Sequence, residues 1–494
     1  MESRGRMEPR SRVKRASDLR RRAADARTTD VTVIGAGVAG LAASVALAGD
    51  GASVTLLERR GFVGGRAYSY PHPALNETID SQHVVLGCCT NFMELLEQAA
   101  AEWSIRWYDE LCFLEPSASG NPRRSWIKPG RLLAPAHQAI SFLRAPMLGL
   151  RDKATIASGL VRFLRGYPAS DAESFAAWLK RTNQTDRAIR HFWEPIVSGA
   201  LNDTAENCSV KYAGKIFHES FLRSPQAGRL GIPTKPLTEF FDPVVKLARR
   251  LGVDLRLNSA VDAISRTPEG RWKVRTGEAE LETGAVVLAT DLRNTERIMN
   301  TLAGAGAQPG AYKPFQFDRF VLAPITTIHL WYDREVADID HAVLLDTRIQ
   351  WLFAKSRIRG WDVSRGSYLE LVISASWPEI AMTREHLLAS ALRELEIFFP
   401  AVRQARLLKS AVLKEARATF SVTPGLDAYR PPQTTEYPRL YVAGDWTATE
   451  WPSTMEGAVR SGRLVAGEVA GDRTLFLAPE TPASGLMRFL TRIQ

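Results

Sequence analysis

The 494-residue sequence predicts a mixed α/β fold: a Rossmann-like βαβ unit near the N-terminus, joined to a further α+β domain. Three observations predict it. Val31 to Ile34, mostly β-branched and uninterrupted, runs straight into Gly35-Ala-Gly-Val-Ala-Gly40 and then into an Ala-rich stretch, Leu41 to Ala48. Val54 to Leu57 reads as the next strand and ends on Glu58. The length exceeds what one compact core holds, so two or three domains are expected.

Each piece of the βαβ unit has a physical task. Gly35 permits the tight turn, Gly37 lets backbone approach a pyrophosphate, and Gly40 allows close packing of helix on strand. The helix N-terminus, which includes Ala39, presents free N–H groups and the positive end of its dipole. Glu58, eighteen residues after Gly40, suits a ribose hydroxyl and disfavours a 2′-phosphate. A second glycine-rich stretch follows, Arg59-Arg-Gly-Phe-Val-Gly-Gly-Arg66, in which Gly65 and Arg66 suit another approach to phosphate. Near the C-terminus, Leu440-Tyr-Val-Ala-Gly444-Asp445 reads as a strand ending in an acid. Ser453-Thr-Met455-Glu-Gly-Ala-Val459 then starts a helix that can face a flavin or pyrophosphate oxygen. Gly304-Ala-Gly306 is a decoy, with no strand before it and Pro309 after it.

Composition excludes several classes. Hydrophobic content of 45% with 24% charged residues is that of a globular chain. The four cysteines show neither CxxC nor zinc spacing, so no disulfide framework or metal site is expected, and Cys88-Cys89 reads as two small buried residues. The net charge of +10 is mostly a tail: residues 1–29 hold ten Arg/Lys against four Asp/Glu, with few apolar residues. That segment reads as a disordered extension, with weak attraction to anionic lipid as the sharper alternative, and no nucleic-acid partner is expected. Val31 to Gly49 lacks charge for nineteen residues, but its four glycines fit strand–turn–helix better than a membrane span.

At this point the chain resembles a family. The glycine fingerprint, the Gly-Gly-Arg and the terminal Gly-Asp with Thr-Met-Glu-Gly are similar to those of the FAD-dependent amine oxidase and phytoene desaturase superfamily. Val253 to Leu257, leading to Val261, resembles its adenine-contacting segment, and Ala285 to Thr290 resembles its central strand. The resemblance implies a Rossmann-like FAD-binding domain assembled from residues 30–115, 235–300 and 420–475. It also implies a discontinuous substrate domain from 116–234 and 301–419, and leaves 476–494 as a C-terminal tail.

Longer strings resemble one branch, hydroxysqualene dehydroxylase of bacterial hopanoid pathways. They include Ile79-Asp-Ser-Gln-His-Val-Val-Leu-Gly-Cys88, Phe192-Trp-Glu-Pro-Ile-Val197, Lys215-Ile-Phe217, Pro324 to Trp331, Gln350-Trp-Leu-Phe353, Arg417-Ala-Thr-Phe420 and Gly444-Asp-Trp-Thr447. The family pattern carries Asn-Gly between the acid and Gln-His, where this chain has only Ser81. The resemblance implies FAD as cofactor and reductive dehydroxylation of hydroxysqualene to squalene. An allylic hydroxyl leaves poorly as hydroxide, so a positioned acid should protonate it while water is excluded. His83 is the candidate for that proton, with Asp80 orienting it or sharing the proton, and Glu194 is the runner-up; bracing of the backbone is the plainer role for Asp80 and His83.

A triterpene implies a long apolar tunnel and a site at a membrane surface. Trp126, Phe142, Trp193, Phe217 and Trp331 give the substrate domain aromatic content, equally suited to ordinary core. Residues 136–168 are the candidate membrane-facing segment: Ile156, Leu160, Phe163 and Leu164 share one helical face, beside Arg151, Lys153, Arg162 and Arg165. A helix packed on the core would show the same pattern. The expected place is peripheral, on the inner face of the cytoplasmic membrane. No second dinucleotide motif occurs, so the sequence assigns no electron donor. The rival readings are a carotenoid or polyene desaturase and a non-catalytic, flavin-loaded lipid-binding subunit. An amine oxidase fits less well, since the sequence offers no aromatic cage or flavin-adjacent lysine.

Overall fold

Five parallel strands form the sheet that organises the molecule, a computed structural model describing residues 30–117, 120–303 and 315–491. The 1–29 segment and the Gly304-Ala-Gly306 decoy lie outside the described residues. The strand order is 254–256, 53–57, 30–34, 285–288, 440–442. Val31 pairs with both Val54 and Ala285, and Val286 with Leu440, so three distant parts of the chain share one register. Val33, Leu56, Val287 and Val442 are fully buried, as parallel strands covered on both faces require.

Two helices place their N-termini at the edge of this sheet. Val38–Gly49 follows the first strand, and no side chain caps its first turn. Met455–Ala470 crosses it so closely that a Cβ on Gly462 would come within 2.3 Å of the Ala39 carbonyl oxygen. Glu456 leaves the second helix to accept the N–H groups of Asn91 and Phe92 at 3.2 and 2.8 Å. It thereby caps the helix Thr90–Gln98, whose first N–H groups would otherwise be unpaired.

A seven-stranded sheet carries the second domain, in the order 407–420, 322–332, 367–374, 351–354, 341–344, 111–115, 123–127. Its pairs are antiparallel except 341–344 with 111–115. The strand Leu111–Glu115 therefore belongs to this sheet, so the first segment, expected to run over 30–115, ends before Leu111. A small sheet of 85–86, 230–233 and 105–108 joins the two domains.

Helices between residues 139 and 222 cover one side of the second domain around an aromatic core. Phe163 stacks on Trp178 at 4.8 Å, and Trp193 meets Phe217 edge-on at 4.7 Å. Two π-helical turns, Ile189–Trp193 and Phe217–Leu222, bring these rings together. In the helix Leu150–Arg162 the apolar face takes the core-packed alternative, not the membrane-facing one: Ile156 and Phe163 are buried in this core and Leu160 and Leu164 are half-buried. Leu132, Leu133, Ile140, Leu143, Leu150 and Val161 are the large exposed apolar residues of the region. The C-terminal segment is also docked. Leu486 donates its N–H to the Ala134 carbonyl at 2.9 Å, Ser484 donates to Arg223 at 3.0 Å, and Met487 is buried.

Candidate active site

One cavity of about 1370 Å³ runs from the glycine-rich turns into the second domain. That exceeds the roughly 1,000 Å³ upper range for a site filled by one small ligand, leaving room for a dinucleotide and a second molecule. Gly35, Gly37, Ala39, Glu58, Arg59, Gly65, Arg66, Val261, Gly444, Asp445 and Met455 all line it, with Asp80 and His83. Gly40 does not line it. A Cβ there would fall 1.9 Å from the Gly35 carbonyl oxygen, so Gly40 lets the helix sit on the turn.

The dinucleotide end is a cradle of backbone. Gly35 has φ +104°, and a Cβ would lie 2.6 Å from the Ala289 carbonyl oxygen. A Cβ on Gly65 would come within 3.0 Å of the Gly37 Cα, so the two glycine-rich segments face each other across a gap that only backbone can border. The uncapped N–H groups of Val38–Gly49 open on this gap, the arrangement that receives a pyrophosphate. Glu58 accepts the N–H of Ala36 at 2.8 Å and that of Arg60 at 2.9 Å, which fixes its carboxylate. Each oxygen keeps acceptor capacity for a ribose hydroxyl. The uncapped donors, the cradle closed to side chains and this fixed carboxylate together fit the diphosphate and ribose of FAD.

Arg66 is placed differently from the phosphate-binding role expected of it. Its Nη2 pairs with Asp445 Oδ1 at 2.5 Å, and its Nη1 donates to the Ala418 carbonyl at 2.9 Å. Ser453 Oγ donates to the other Asp445 oxygen at 2.5 Å. Burial alone would raise the Asp445 carboxyl. Arg66, Ser453 and Arg430 outweigh that and hold it below the usual carboxylate range.

The segment after Asp80, Ser81 to His83, forms part of the cavity wall. His83 Nδ1 lies 2.9 Å from the Ser81 carbonyl, which can only accept, so Nδ1 carries the proton and Nε2 is left as an acceptor. Burial lowers the His83 pKa, with Lys355 and Arg66 adding to it against the Ser81 bond and Asp80. A neutral imidazole that already donates its proton to a carbonyl suits accepting, not the acid role the sequence proposed for it.

Asp80 is not the partner of His83 either. It is 2% exposed and bonded to Lys355 Nζ at 2.9 Å, Arg359 Nη2 at 3.0 Å and the Leu237 N–H at 3.1 Å. Lys355 also pairs with Glu370 at 2.9 Å, and Glu370 accepts the Gln82 N–H at 2.6 Å. Burial favours neutral Asp80, but Lys355 and Arg359 outweigh it and lower its pKa. Burial wins at Glu370, whose pKa is raised. This buried cluster braces the shortened Ser81–His83 segment from behind. The sequence reading missed Lys355, Arg359 and Glu370 because they lie more than 270 residues downstream in no recognisable motif.

Away from this segment the lining is mainly apolar, with Ile127, Ile196, Phe221, Leu230, Trp351 and Phe420. None of Trp126, Phe142, Trp193, Phe217 and Trp331 lines the cavity, and Trp193 and Phe217 are core. Glu194 is likewise outside it. The four cysteines are buried and free. Glu115, His191 and Asp346 gather elsewhere, but Arg187 and Arg123 already neutralise Glu115, and His191 Nδ1 bonds the Met147 carbonyl at 3.2 Å.

Comparison with known proteins adds a family to this geometry. The family model described as flavin containing amine oxidoreductase matches residues 38–470. The 15-cis-phytoene desaturase of Arabidopsis thaliana is 26% identical, covering 92% of this chain and 82% of its own. That of Synechococcus elongatus is 27% identical, covering 88% and 94%. Among solved structures, an oxidoreductase from Methanosarcina mazei superposes with a TM-score of 0.68 at 17% identity, covering 90% of this chain and 100% of its own.

Proposed function

The chain belongs to the flavin-containing amine oxidoreductases and is an FAD-dependent oxidoreductase, and from that premise we propose that it reduces hydroxysqualene to squalene. The observation that carries this reading is that one continuous cavity holds both ends of the site. Its backbone cradle for the cofactor continues into an apolar chamber suited to a polyisoprenoid. The ordered strings from Ile79 to Cys88 and from Gly444 to Thr447 supply the choice of hydroxysqualene.

FAD, when bound and reduced, supplies the hydride. The chain supplies placement. Gly37 and Gly65 border the diphosphate gap, Glu58 holds ribose, and Asp445, fixed by Arg66 and Ser453, offers a carboxylate beside the helix Met455–Ala470. The apolar chamber holds the chain of the substrate and keeps water from a developing allylic cation.

A second reading is oxidative desaturation of a carotenoid-like polyene, and the names of the two desaturase relatives favour it. The two readings differ in the direction of electron flow. Anaerobic product analysis separates them: photoreduced holoenzyme with hydroxysqualene should give squalene, whereas a desaturase would convert phytoene with oxidised flavin.

The lipid partner belongs to the same proposal. Leu132, Leu133, Leu143, Leu486 and Phe489 are exposed on two segments joined by the Leu486–Ala134 hydrogen bond, with Arg131, Arg144 and Arg488 exposed among them. Apolar side chains rimmed by cations suit an anionic bilayer, here the inner face of the cytoplasmic membrane. Among the described residues no helix is long and apolar enough to cross a membrane. Binding to phosphatidylglycerol vesicles, lost in Leu133→Ser/Phe489→Ser, tests this; unchanged flotation of that variant overturns it.

A further inference from the structure

Lys215 is the unusual charge in the cavity. It lines the wall at 7% exposure, and no carboxylate pairs with it among the described residues. Lysine is seldom buried so far without an anion beside it. Its Nζ donates to the Tyr167 hydroxyl at 3.0 Å and lies over the Trp451 ring, 4.7 Å from the centroid. The neighbouring carboxylates are committed elsewhere: Glu219 to Arg223 at 2.6 Å, Asp427 to Lys211 at 2.6 Å and to Tyr212 at 2.5 Å. An ammonium has three donors, and one bond to Tyr167 leaves two for a ligand in the cavity. Trp451 also lines the cavity and directly precedes Pro452–Met455, which line it beside the Gly444-Asp445 turn, so Lys215 is linked through Trp451 to the cofactor end.

We propose that Lys215 is the catalytic acid of this site, binding the hydroxyl of an otherwise apolar isoprenoid alcohol and protonating it as it leaves. This deepens the reading above and rests on it for the identity of the alcohol. The ammonium donates to the hydroxyl oxygen, and the carbon–oxygen bond breaks with its electron pair on oxygen, releasing water. The allylic carbon takes hydride, two electrons and one proton's mass, from reduced FAD, which is thereby oxidised. The amine is reprotonated from solvent. Charge makes lysine the apt donor: by giving up its proton it becomes neutral just as the allylic cation forms. An arginine at the same place would stay charged and repel that cation.

Two substitutions and two readouts test the proposal on FAD-loaded protein. Hydroxysqualene and squalene are titrated into oxidised enzyme while flavin absorbance is followed. Wild type should bind hydroxysqualene roughly tenfold to hundredfold tighter than squalene, the preference of a charged donor for a hydroxyl. Lys215→Met should abolish the preference, while Lys215→Arg should keep it. In anaerobic single turnover with reduced flavin, both variants should reoxidise at least about a hundredfold more slowly than wild type. Equal binding of the two lipids by wild type, or a preference surviving in Lys215→Met, overturns the recognition role. Wild-type turnover in either variant overturns the proton transfer. Should wild type prefer hydroxysqualene, through Lys215, yet never form squalene, the recognition role stands while proton transfer and the dehydroxylase reading both fail.

Discussion

Arg66 and Asp445, 379 residues apart in sequence, meet at 2.5 Å on the cavity wall and tie the second glycine-rich turn to the last strand of the parallel sheet. The pair holds Asp445 ionised in a buried position and points its carboxylate along the cofactor cleft. Arg66→Met leaves that carboxylate short of a partner, at a cost of about 1–3 kcal/mol. The expected outcome is FAD lost on gel filtration, read from the flavin-to-protein absorbance ratio. Arg66→Lys should recover only part, since it replaces a two-pronged donor with a point charge.

The Lys355 ammonium, bridging Asp80 and Glu370, bears on stability more than on binding. Lys355→Met leaves buried Glu370 without its cation and Asp80 with Arg359 alone, and should cost about 3–5 kcal/mol in a urea titration. Glu370→Gln removes one of them and should be far milder. It still weakens the 2.6 Å contact to the Gln82 N–H, so the wall segment should become more accessible to hydrogen exchange at Gln82 and His83.

His329 sets an acid limit. Burial first, then Lys355 and Arg359, push its pKa down to about 3 against the opposing pull of Asp80. An unfolded histidine titrates near about 6.5, so between about 6.5 and 3 the unfolded state holds a proton that the folded state lacks. Stability therefore falls as pH falls through that window, by about 1.4 kcal/mol per pH unit from this residue alone. His329→Gln should flatten the slope of stability against pH by one proton between pH 6 and about 4, as measured by urea unfolding at each pH.

The glycine geometry predicts a clean loss of cofactor. Gly40→Val sets a side chain against the Gly35 carbonyl, where even a Cβ would fall at 1.9 Å, and must push helix from strand. The protein should purify without flavin, with melting below that of wild type stripped of FAD. Gly49→Ala, in the same helix with nothing near its Cβ, is the matched control and should keep its flavin.

The cofactor half was legible because its signals are local. Gly35 to Gly40, Glu58 and the Gly444-Asp445 turn carry their geometry in adjacent residues, and the parallel sheet follows from the runs beside them. The catalytic half was not. His83 was noticed for its position in a string, but its tautomer depends on the Ser81 carbonyl and its charge state on burial, neither of which a sequence displays. Lys215 stands out in sequence only within Lys215-Ile-Phe217, since no spacing rule distinguishes a lysine turned into a cavity from one on a surface. The amphipathic face of Ile156 and Phe163 illustrates the same limit: periodicity shows which side chains share a face, and only packing against Trp178 and Phe217 decides what that face meets.

In the reaction proposed above, reduced flavin in this cavity delivers hydride to an isoprenoid carbon as its hydroxyl leaves. Single-turnover stopped-flow under anaerobic conditions tests it most directly, with photoreduced holoenzyme mixed with hydroxysqualene in vesicles and the lipid extracted at each time. One squalene should form per flavin reoxidised, at a single shared rate. Flavin that stays reduced in the presence of bound hydroxysqualene, or reoxidation without squalene, would contradict it.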